Sequence, residues 1–155
     1  MAPVGVIRQV INSDYALYQG DSAEVLQGVP SESVDFMVYS PPFQALYVYS
    51  ATERDLGNCG TPDEFFEHLS FITKELYRTL KPGRLMAVHC AQITAQKVLD
   101  GWIGLKDFRG QLIEHYGRHG FYFHREVCID KDPQAQAIRT HSKALLFVQM
   151  RKDRS

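Results

Sequence analysis

The chain has 155 residues, of which 45% are hydrophobic and 23% charged, and its formal net charge is −1. This length and composition predict one globular domain with its own core, and no apolar run approaches the roughly 18 residues of a membrane span, nor does a signal-peptide pattern open the chain. The three cysteines, Cys59, Cys90 and Cys128, form no CxxC pair, which suits a reducing cytoplasm and predicts neither a disulfide framework nor a metal site.

The first predicted elements are a strand, a short helix and a second strand. Tyr15–Gln19 reads as a strand closed by Gly20-Asp21, and Ser22 is placed to cap a helix from residue 22 to 27. Val34–Tyr39 is rich in β-branched and aromatic residues, which is typical of a buried strand in a mostly parallel sheet. Consecutive prolines end it at once.

An irregular segment, 44–60, precedes the clearest helix. Thr61 is a predicted N-cap, Pro62 the first helical residue, and Glu64 completes a capping box. Apolar residues then recur every three or four positions at Phe65, Leu69, Ile72, Leu76 and Leu80. Lys81-Pro82-Gly83 is expected to end the helix, and Arg84–His89 is the next predicted buried strand.

The last third combines a helix, a strand and a basic tail. Phe108–His119 is predicted as a helix closed by Gly120, Phe121–Ile129 as a strand, and 143–151 as helical. Residues 1–112 hold 9 Lys and Arg against 13 Asp and Glu, whereas residues 113–155 hold 8 against 5. The tail either follows a phosphate backbone or is a solvated surface. The alternation of elements predicts an α/β fold with a largely parallel sheet.

Ser40-Pro41-Pro42-Phe43 is the strongest chemical signal, because ligands of open α/β sheets bind beyond the carboxyl ends of the strands. Paired prolines hold the backbone extended and leave its carbonyls free to accept hydrogen bonds. Ser40 adds a hydroxyl acceptor and Phe43 a flat apolar face. This set suits a planar aromatic amine, whose nitrogen becomes a better nucleophile when acceptors grip its N–H bonds. Alone, the tetrapeptide is equally compatible with a simple strand terminus.

Three segments in this order resemble the S-adenosylmethionine-dependent DNA amino-methyltransferases: Tyr18-Gln19-Gly20-Asp21, Val34–Phe43 and Leu76–Arg84. The resemblance is to the subgroup whose catalytic region comes first, and Val88-His89-Cys90 resembles phage and prophage members. It implies a partial Rossmann-like methyltransferase fold that acts on DNA at cytosine N4 or adenine N6.

The resemblance also implies roles for individual residues. Ser40, Pro41, Pro42 and Phe43 match the catalytic motif, in which serine is commoner among cytosine-N4 enzymes. Cofactor contacts are expected from Asp21, Tyr39 and His89; Asp21 is alternatively a turn or cap residue, and His89 a core histidine. Tyr47 and Tyr49 are candidates for contacts with DNA beside a flipped base, and Asp55–Asn58 for a gate or a plain turn.

The family's glycine-rich cofactor loop is missing from the sequence. Residues 1–155 are therefore interpreted as a partial catalytic domain, the N-terminal part of a longer protein, with 130–155 a basic segment leading to an absent target-recognition region. The expected partners are DNA and S-adenosylmethionine, and the isolated chain is expected to be nearly inactive. The strand at Tyr15–Gln19 would pair out of family order, pair with another chain or a missing C-terminal half, or fray.

Two other readings remain open. The chain is alternatively a non-catalytic fragment that binds DNA or a partner through its basic third. It is also compatible with a methyltransferase acting on RNA amines or protein amides, although those typically carry Asn at the Ser40 position.

Overall fold

A computed structural model describes residues 5–43 and 48–129. They belong to two compact units, the first ending at Phe123 and the second beginning at His124. In chain order the first unit contains β1 (Val6–Ile11), β2 (Ala16–Gly20), α1 (Ser22–Gln27), β3 (Val34–Tyr39), a 3-10 turn (Leu56–Asn58), α2 (Pro62–Thr79), β4 (Leu80–Val88), β5 (Ile93–Ala95), α3 (Lys97–Asp100), β6 (Gly104–Lys106) and α4 (Phe108–Arg118). The predicted helix at 143–151 and the basic segment 130–155 lie outside the described residues.

The strands form three two-stranded sheets among the described residues, of which only β3–β4 is parallel. The fold is therefore mixed α/β, and the expectation of a largely parallel sheet is met only at this pair. The strand β4 starts earlier than predicted, because the helix before it ends at Thr79 and Lys81-Pro82-Gly83 lies inside the strand. A register shift between the Val34 and Phe36 pairs takes up the added residues, with Gly83 at a φ of 75°.

One face of β3 is bare, so the prediction of a buried strand is wrong for that face. Phe36 is 58% exposed and Val38 68% exposed. The partly buried Tyr39 and, on β4, Met86 and Val88 pack against the core formed by α2 and α4. Helices thus cover one face of the parallel pair, and no described element covers the other.

The strand predicted at Tyr15–Gln19 is β2, and it forms an antiparallel hairpin with β1, which the sequence did not predict. Its register joins Gln9 to Tyr18 and Ile11 to Ala16. The strand therefore pairs within its own chain, with a strand that precedes it. The helix α1 follows as predicted, but Asp21 rather than Ser22 is its N-cap.

Two further segments differ from prediction. The small antiparallel hairpin of β5 and β6, whose strands are joined through α3, was not predicted from the sequence. Phe121–Ile129 has no regular secondary structure, so the predicted strand is wrong. Phe121 packs against the core, but the later apolar side chains, including Tyr122 and Val127, are exposed. A strand is stable only with a hydrogen-bonded neighbour.

The core lies between α2 and α4 and the covered face of β3–β4. Phe65, Leu69 and Phe108 are fully buried within it. The predicted caps of α2 and α4 are present: Thr61 accepts from the N–H of Glu64 at 3.2 Å, and Gly120 follows α4 at a φ of 96°. The amphipathic stripe of α2 and its cap thus specify where this helix starts and which face it buries. No helix among the described residues meets the length and apolarity needed to span a bilayer.

A buried histidine joins the two core helices. His115 is 7% exposed, and its Nε2 lies 2.9 Å from the hydroxyl of Thr73. That hydroxyl donates its single proton to the carbonyl of Leu69 at 2.8 Å, so Nε2 must be the donor to Thr73. Burial, assisted by His119 and Arg118, lowers the pKa of His115 to about 4.

We expect this histidine to make the fold acid-sensitive. Between its ordinary pKa of 6.5 and the folded value of about 4, the unfolded chain binds a proton that the folded chain does not, so stability falls as the pH falls through this window. The loss should reach about 2 kcal/mol near pH 5 relative to neutral pH. His115→Gln keeps an N–H for Thr73 without titrating and should flatten this slope in urea denaturation. Equal slopes for the two proteins would contradict the prediction.

Candidate active site

The tetrapeptide Ser40-Pro41-Pro42-Phe43 lies where β3 ends. Because β3 and β4 are parallel, their carboxyl ends share one edge, and Tyr39 pairs with Val88 as the last residue of each strand. The next residue on each side is therefore Ser40 or His89, and the N–H of His89 donates to the carbonyl of Tyr39 at 2.9 Å. Pro41 is buried and Ser40 exposed. The motif is thus anchored at its proline and presents its hydroxyl to solvent.

The hydroxyl of Ser40 makes two contacts with His89. Its Oγ lies 3.2 Å from Nδ1 of the imidazole and donates to the main-chain carbonyl of His89 at 3.1 Å. His89 is itself exposed, so the interpretation of this residue as a core histidine is wrong. Residue 89 instead lies in the same cluster as Ser40 and Phe43.

The ring of Phe43 packs between this cluster and the core. Its centroid lies 6.1 Å from that of His89 and 6.0 Å from that of Phe108, the latter in an edge-to-face arrangement. Phe108 in turn contacts Phe65 at 5.8 Å. A continuous row of rings therefore fixes the position of Phe43 from below, as edge-to-face pairs do in protein cores.

Tyr39 is oriented by a second tyrosine. Its hydroxyl is hydrogen-bonded to that of Tyr116 on α4. Burial raises the pKa of Tyr39 to about 12, and burial together with Tyr39 raises the pKa of Tyr116. Both phenols are therefore neutral at physiological pH, and their hydrogen bond links β3 to α4.

Asp21 lies apart from Ser40 and its neighbours, at the turn between β2 and α1. Its carboxylate accepts from the N–H of Ala23 at 2.9 Å and from Arg54 at 3.2 Å. Arg54 also pairs with Glu24, and these two carboxylates raise the pKa of the guanidinium. Asp21 is thus a helix cap, and one of its oxygens also faces an exposed arginine.

The loop at 48–60 is organised by one aspartate. The carboxylate of Asp55 accepts from the N–H groups of Gly57, Tyr49 and Ser50 at 2.9, 2.7 and 2.6 Å. These bonds, that of Gly57 first, lower the pKa of Asp55. Asn58 donates to two carbonyls of the same loop. The Asp55–Asn58 segment therefore forms the predicted turn; Tyr49 is exposed, and Tyr47 lies outside the described residues.

A cleft of about 300 Å³ opens between β2 and β3. Its lining is mostly apolar and includes Tyr39 together with Gly20 and Ser22, the residues on either side of Asp21. The lining residues are Tyr18, Gly20, Ser22, Val25, Leu26, Tyr39, Ile72 and Leu76. Two of the three residues predicted to contact a cofactor, Asp21 and Tyr39, are therefore at or beside this cleft, whereas the third, His89, contacts Ser40.

Sequence reasoning missed Arg54, Tyr116 and Phe108. A signal for the contact of Ser40 with His89 was present, because both predicted buried strands stop at these residues and parallel neighbours end at one edge. No pattern in the sequence pairs Arg54 with Asp21 or Tyr116 with Tyr39, since each contact joins positions far apart in the chain.

Comparison with known proteins gives matches in sequence and in structure. Over 67 residues, 43% of this chain, the sequence is 42% identical to the Type II methyltransferase M.SfiI of Streptomyces fimbriatus. Two structures of a Thermus thermophilus protein assigned as a DNA modification methylase match 66% of the chain. The TM-scores are 0.50 at 22% identity and 0.51 at 24% identity, the second structure being a complex with S-adenosyl-L-methionine. No protein-family model matches.

These matches confirm the resemblance to DNA methyltransferases and show a shared fold. The matches cover only part of each known protein: the chain spans 16% of M.SfiI and 37% to 38% of the Thermus protein. The chain therefore spans well under half of each relative.

Proposed function

We propose that this chain forms the base-binding part of a DNA amino-methyltransferase that methylates the exocyclic amine of a flipped-out base, with S-adenosylmethionine as cofactor. One observation carries the proposal: the exposed Ser40 stands at the end of a parallel strand and contacts His89, whose ring also packs against Phe43. An acceptor beside a flat apolar face suits an aromatic amine, which presents N–H donors in the plane of a ring.

The chain's own residues divide the work of the reaction. Ser40 accepts from the amine, the rigid prolines keep the neighbouring carbonyls available, and Phe43 holds the plane of the base. These contacts favour a pyramidal nitrogen with a localised lone pair, which is positioning and electrostatic preorganisation rather than covalent catalysis. The cofactor supplies an electrophilic methyl group. Cytosine N4 is the proposed target rather than adenine N6, since serine leads the motif.

The residues present fit part of the cofactor. The carboxylate oxygen of Asp21 that does not cap α1 accepts from Arg54, a donor that ribose hydroxyls can replace. Tyr39 and the apolar lining of the cleft suit an adenosyl group. The described residues offer no glycine-rich turn for the methionine end. Asp21 and Tyr39 would hold the adenosyl part, and other residues the remainder.

The open strand edges suggest how the site is completed. Among the described residues, β2 pairs only with β1 and β3 only with β4, and the cleft with its mostly apolar lining lies between β2 and β3. Unpaired edges beside exposed apolar side chains such as Phe36 and Val38 are templates for further strands. We propose that the strands of a cofactor-binding half enter here, in cis or in trans, and we call that complex the assembled enzyme.

It follows that the chain alone should bind S-adenosylmethionine weakly and transfer little methyl. Isothermal titration of the 155-residue chain should show no micromolar binding, and addition of the cofactor-binding half should restore it. Tight binding by the chain alone would contradict this expectation. Methylation-sensitive sequencing of DNA from cells expressing the assembled enzyme tests the activity itself and identifies the base.

Two substitutions at Asp21 separate its cap role from its proposed cofactor role. Asp21→Asn keeps an oxygen for the N–H of Ala23, so the stability of the chain should hardly change, whereas Asp21→Ala should lose about 1 kcal/mol. Both should weaken cofactor binding by the assembled enzyme, because both remove the charge. Urea denaturation and titration of the cofactor measure the two effects. If Asp21→Asn bound the cofactor as tightly as the wild type, the role of Asp21 would be limited to capping α1.

A further inference from the structure

The contact of Ser40 with His89 determines the hydrogen-bonding character of the site. A serine hydroxyl has one proton and two lone pairs. Here the proton goes either to the main-chain carbonyl of His89 at 3.1 Å or to Nδ1 of the imidazole at 3.2 Å. If the Ser40 proton goes to the carbonyl, the Nδ1–H group of His89 donates to Oγ. If it goes to the imidazole, Nδ1 is unprotonated and accepts from Oγ. Either arrangement engages the proton of Ser40 with His89 and leaves at least one lone pair for a ligand.

Ser40 is therefore preset as an acceptor. A ligand group approaching the exposed Oγ must bring a donor, and a carbonyl or ring nitrogen without hydrogen would meet a lone pair. His89 can impose this polarity because it is held at both ends: its N–H donates to the carbonyl of Tyr39 at 2.9 Å, and its ring packs against Phe43. The selectivity for an amine thus originates in the imidazole next to the motif.

We propose that His89 is a positioning residue that orients the Ser40 hydroxyl as an acceptor for the substrate amine and takes up the proton that the amine releases. This deepens the proposed function and rests on it. It also replaces the cofactor contact that the sequence suggested for His89.

The proton balance is complete within this cluster and solvent. As the amine nitrogen gains the methyl group, one N–C bond forms, the bond between that methyl carbon and the sulfonium sulfur of S-adenosylmethionine breaks, and the nitrogen must lose one of its hydrogens. In the arrangement in which Nδ1 accepts from Ser40, that proton passes to Oγ of Ser40 while the hydroxyl proton of Ser40 passes to Nδ1 of a neutral His89. The resulting imidazolium releases its Nε2 proton to water, which the exposed side chain allows, and no further co-reactant is needed. A proton acceptor placed in this way contributes roughly 100-fold to a rate.

The first experiment needs no activity. Long-range 15N NMR of the histidine rings in the 155-residue chain reports the protonation and hydrogen bonding of Nδ1, and His89→Gln assigns the signals. Ser40→Ala should displace the Nδ1 resonance of His89, whereas Ser33→Ala, which removes a hydroxyl bonded only to the carbonyl of Pro30, should not. An unmoved His89 signal in Ser40→Ala would overturn the proposal, whatever the enzyme does.

The second experiment uses the assembled enzyme, duplex DNA and S-adenosylmethionine. His89→Ala should lower kcat about 100-fold with KM for cofactor and DNA unchanged, and His89→Asn, which keeps a polar group near Oγ but cannot take up a proton, should fall between. His68→Asn, at a histidine that contacts Cys59, is the matched control. If His89→Ala instead raised KM for the cofactor and left kcat unchanged, His89 would be a cofactor-binding residue and the proposed positioning role would be overturned. Absence of methylation by the wild-type enzyme would instead refute the proposed function, and the NMR result would still decide whether His89 orients Ser40.

Discussion

Ser40→Ala in the assembled enzyme is expected to lower kcat by about 100-fold, because it removes a preorganised acceptor that acts where charge develops. The structure supports an effect on chemistry rather than folding. Ser40 is exposed, and within the described part of the chain its hydroxyl bonds to the side chain and the carbonyl of His89. The affinities for DNA and cofactor should therefore stay close to those of the wild type, and single-turnover methylation assays with parallel DNA-binding measurements separate the two effects.

Two controls make this result interpretable. Ser33→Ala removes another exposed hydroxyl and should leave turnover unchanged. Ser40→Thr retains the hydroxyl and should recover part of the lost activity if its methyl group is accommodated at the exposed position. Wild-type turnover in Ser40→Ala would refute the catalytic assignment of the motif. A loss of DNA affinity equal to the loss in kcat would make Ser40 a binding residue instead.

Phe108→Ala is expected to destabilise the chain by about 3 to 5 kcal/mol, the range for removing a large aromatic side chain from a packed core. Phe108 is 0% exposed at the start of α4. Its ring contacts those of Phe43, Phe65 and Phe66 at 6.0, 5.8 and 6.3 Å. The substitution would therefore remove the support beneath Phe43 together with the centre of the core.

The matched control is Phe71→Ala on α2, where the ring is 57% exposed and the expected change is about 0.5 kcal/mol. Urea denaturation compares the two. Phe108→Leu keeps most of the apolar volume and gives a folded variant if the alanine variant does not fold. Equal midpoints for Phe108→Ala and Phe71→Ala would show that Phe108 is not a core residue.

The open edge of β3 connects these predictions. The chain buries one face of the β3–β4 pair and leaves Phe36 and Val38 exposed on the other. Exposed apolar side chains beside an unpaired strand favour association. Binding of a complementary segment should therefore stabilise the chain by mass action as well as complete its site.

The sequence by itself determined the elements that local signals define. The cap at Thr61 and the apolar stripe fixed α2, Gly120 closed α4, and the prolines stopped β3, since caps, periodicity and proline restriction act within a few residues. It also placed the Ser-Pro-Pro-Phe tetrapeptide at a strand end. It did not reveal β1, which is mostly exposed, or the β5–β6 hairpin, whose strands are only three residues long and carry weak patterns.

Only the tertiary structure decided which segments pair. It paired the strand after Tyr15 with β1 and left Phe121–Ile129 without a hydrogen-bonded partner strand. It also brought His89 into contact with Ser40, 49 residues earlier in the chain. Such contacts depend on strand order and register, which are non-local and are fixed by how apolar faces are covered rather than by the composition of any one segment. The sequence thus supplied the motif, and the fold supplied the histidine that we propose orients it.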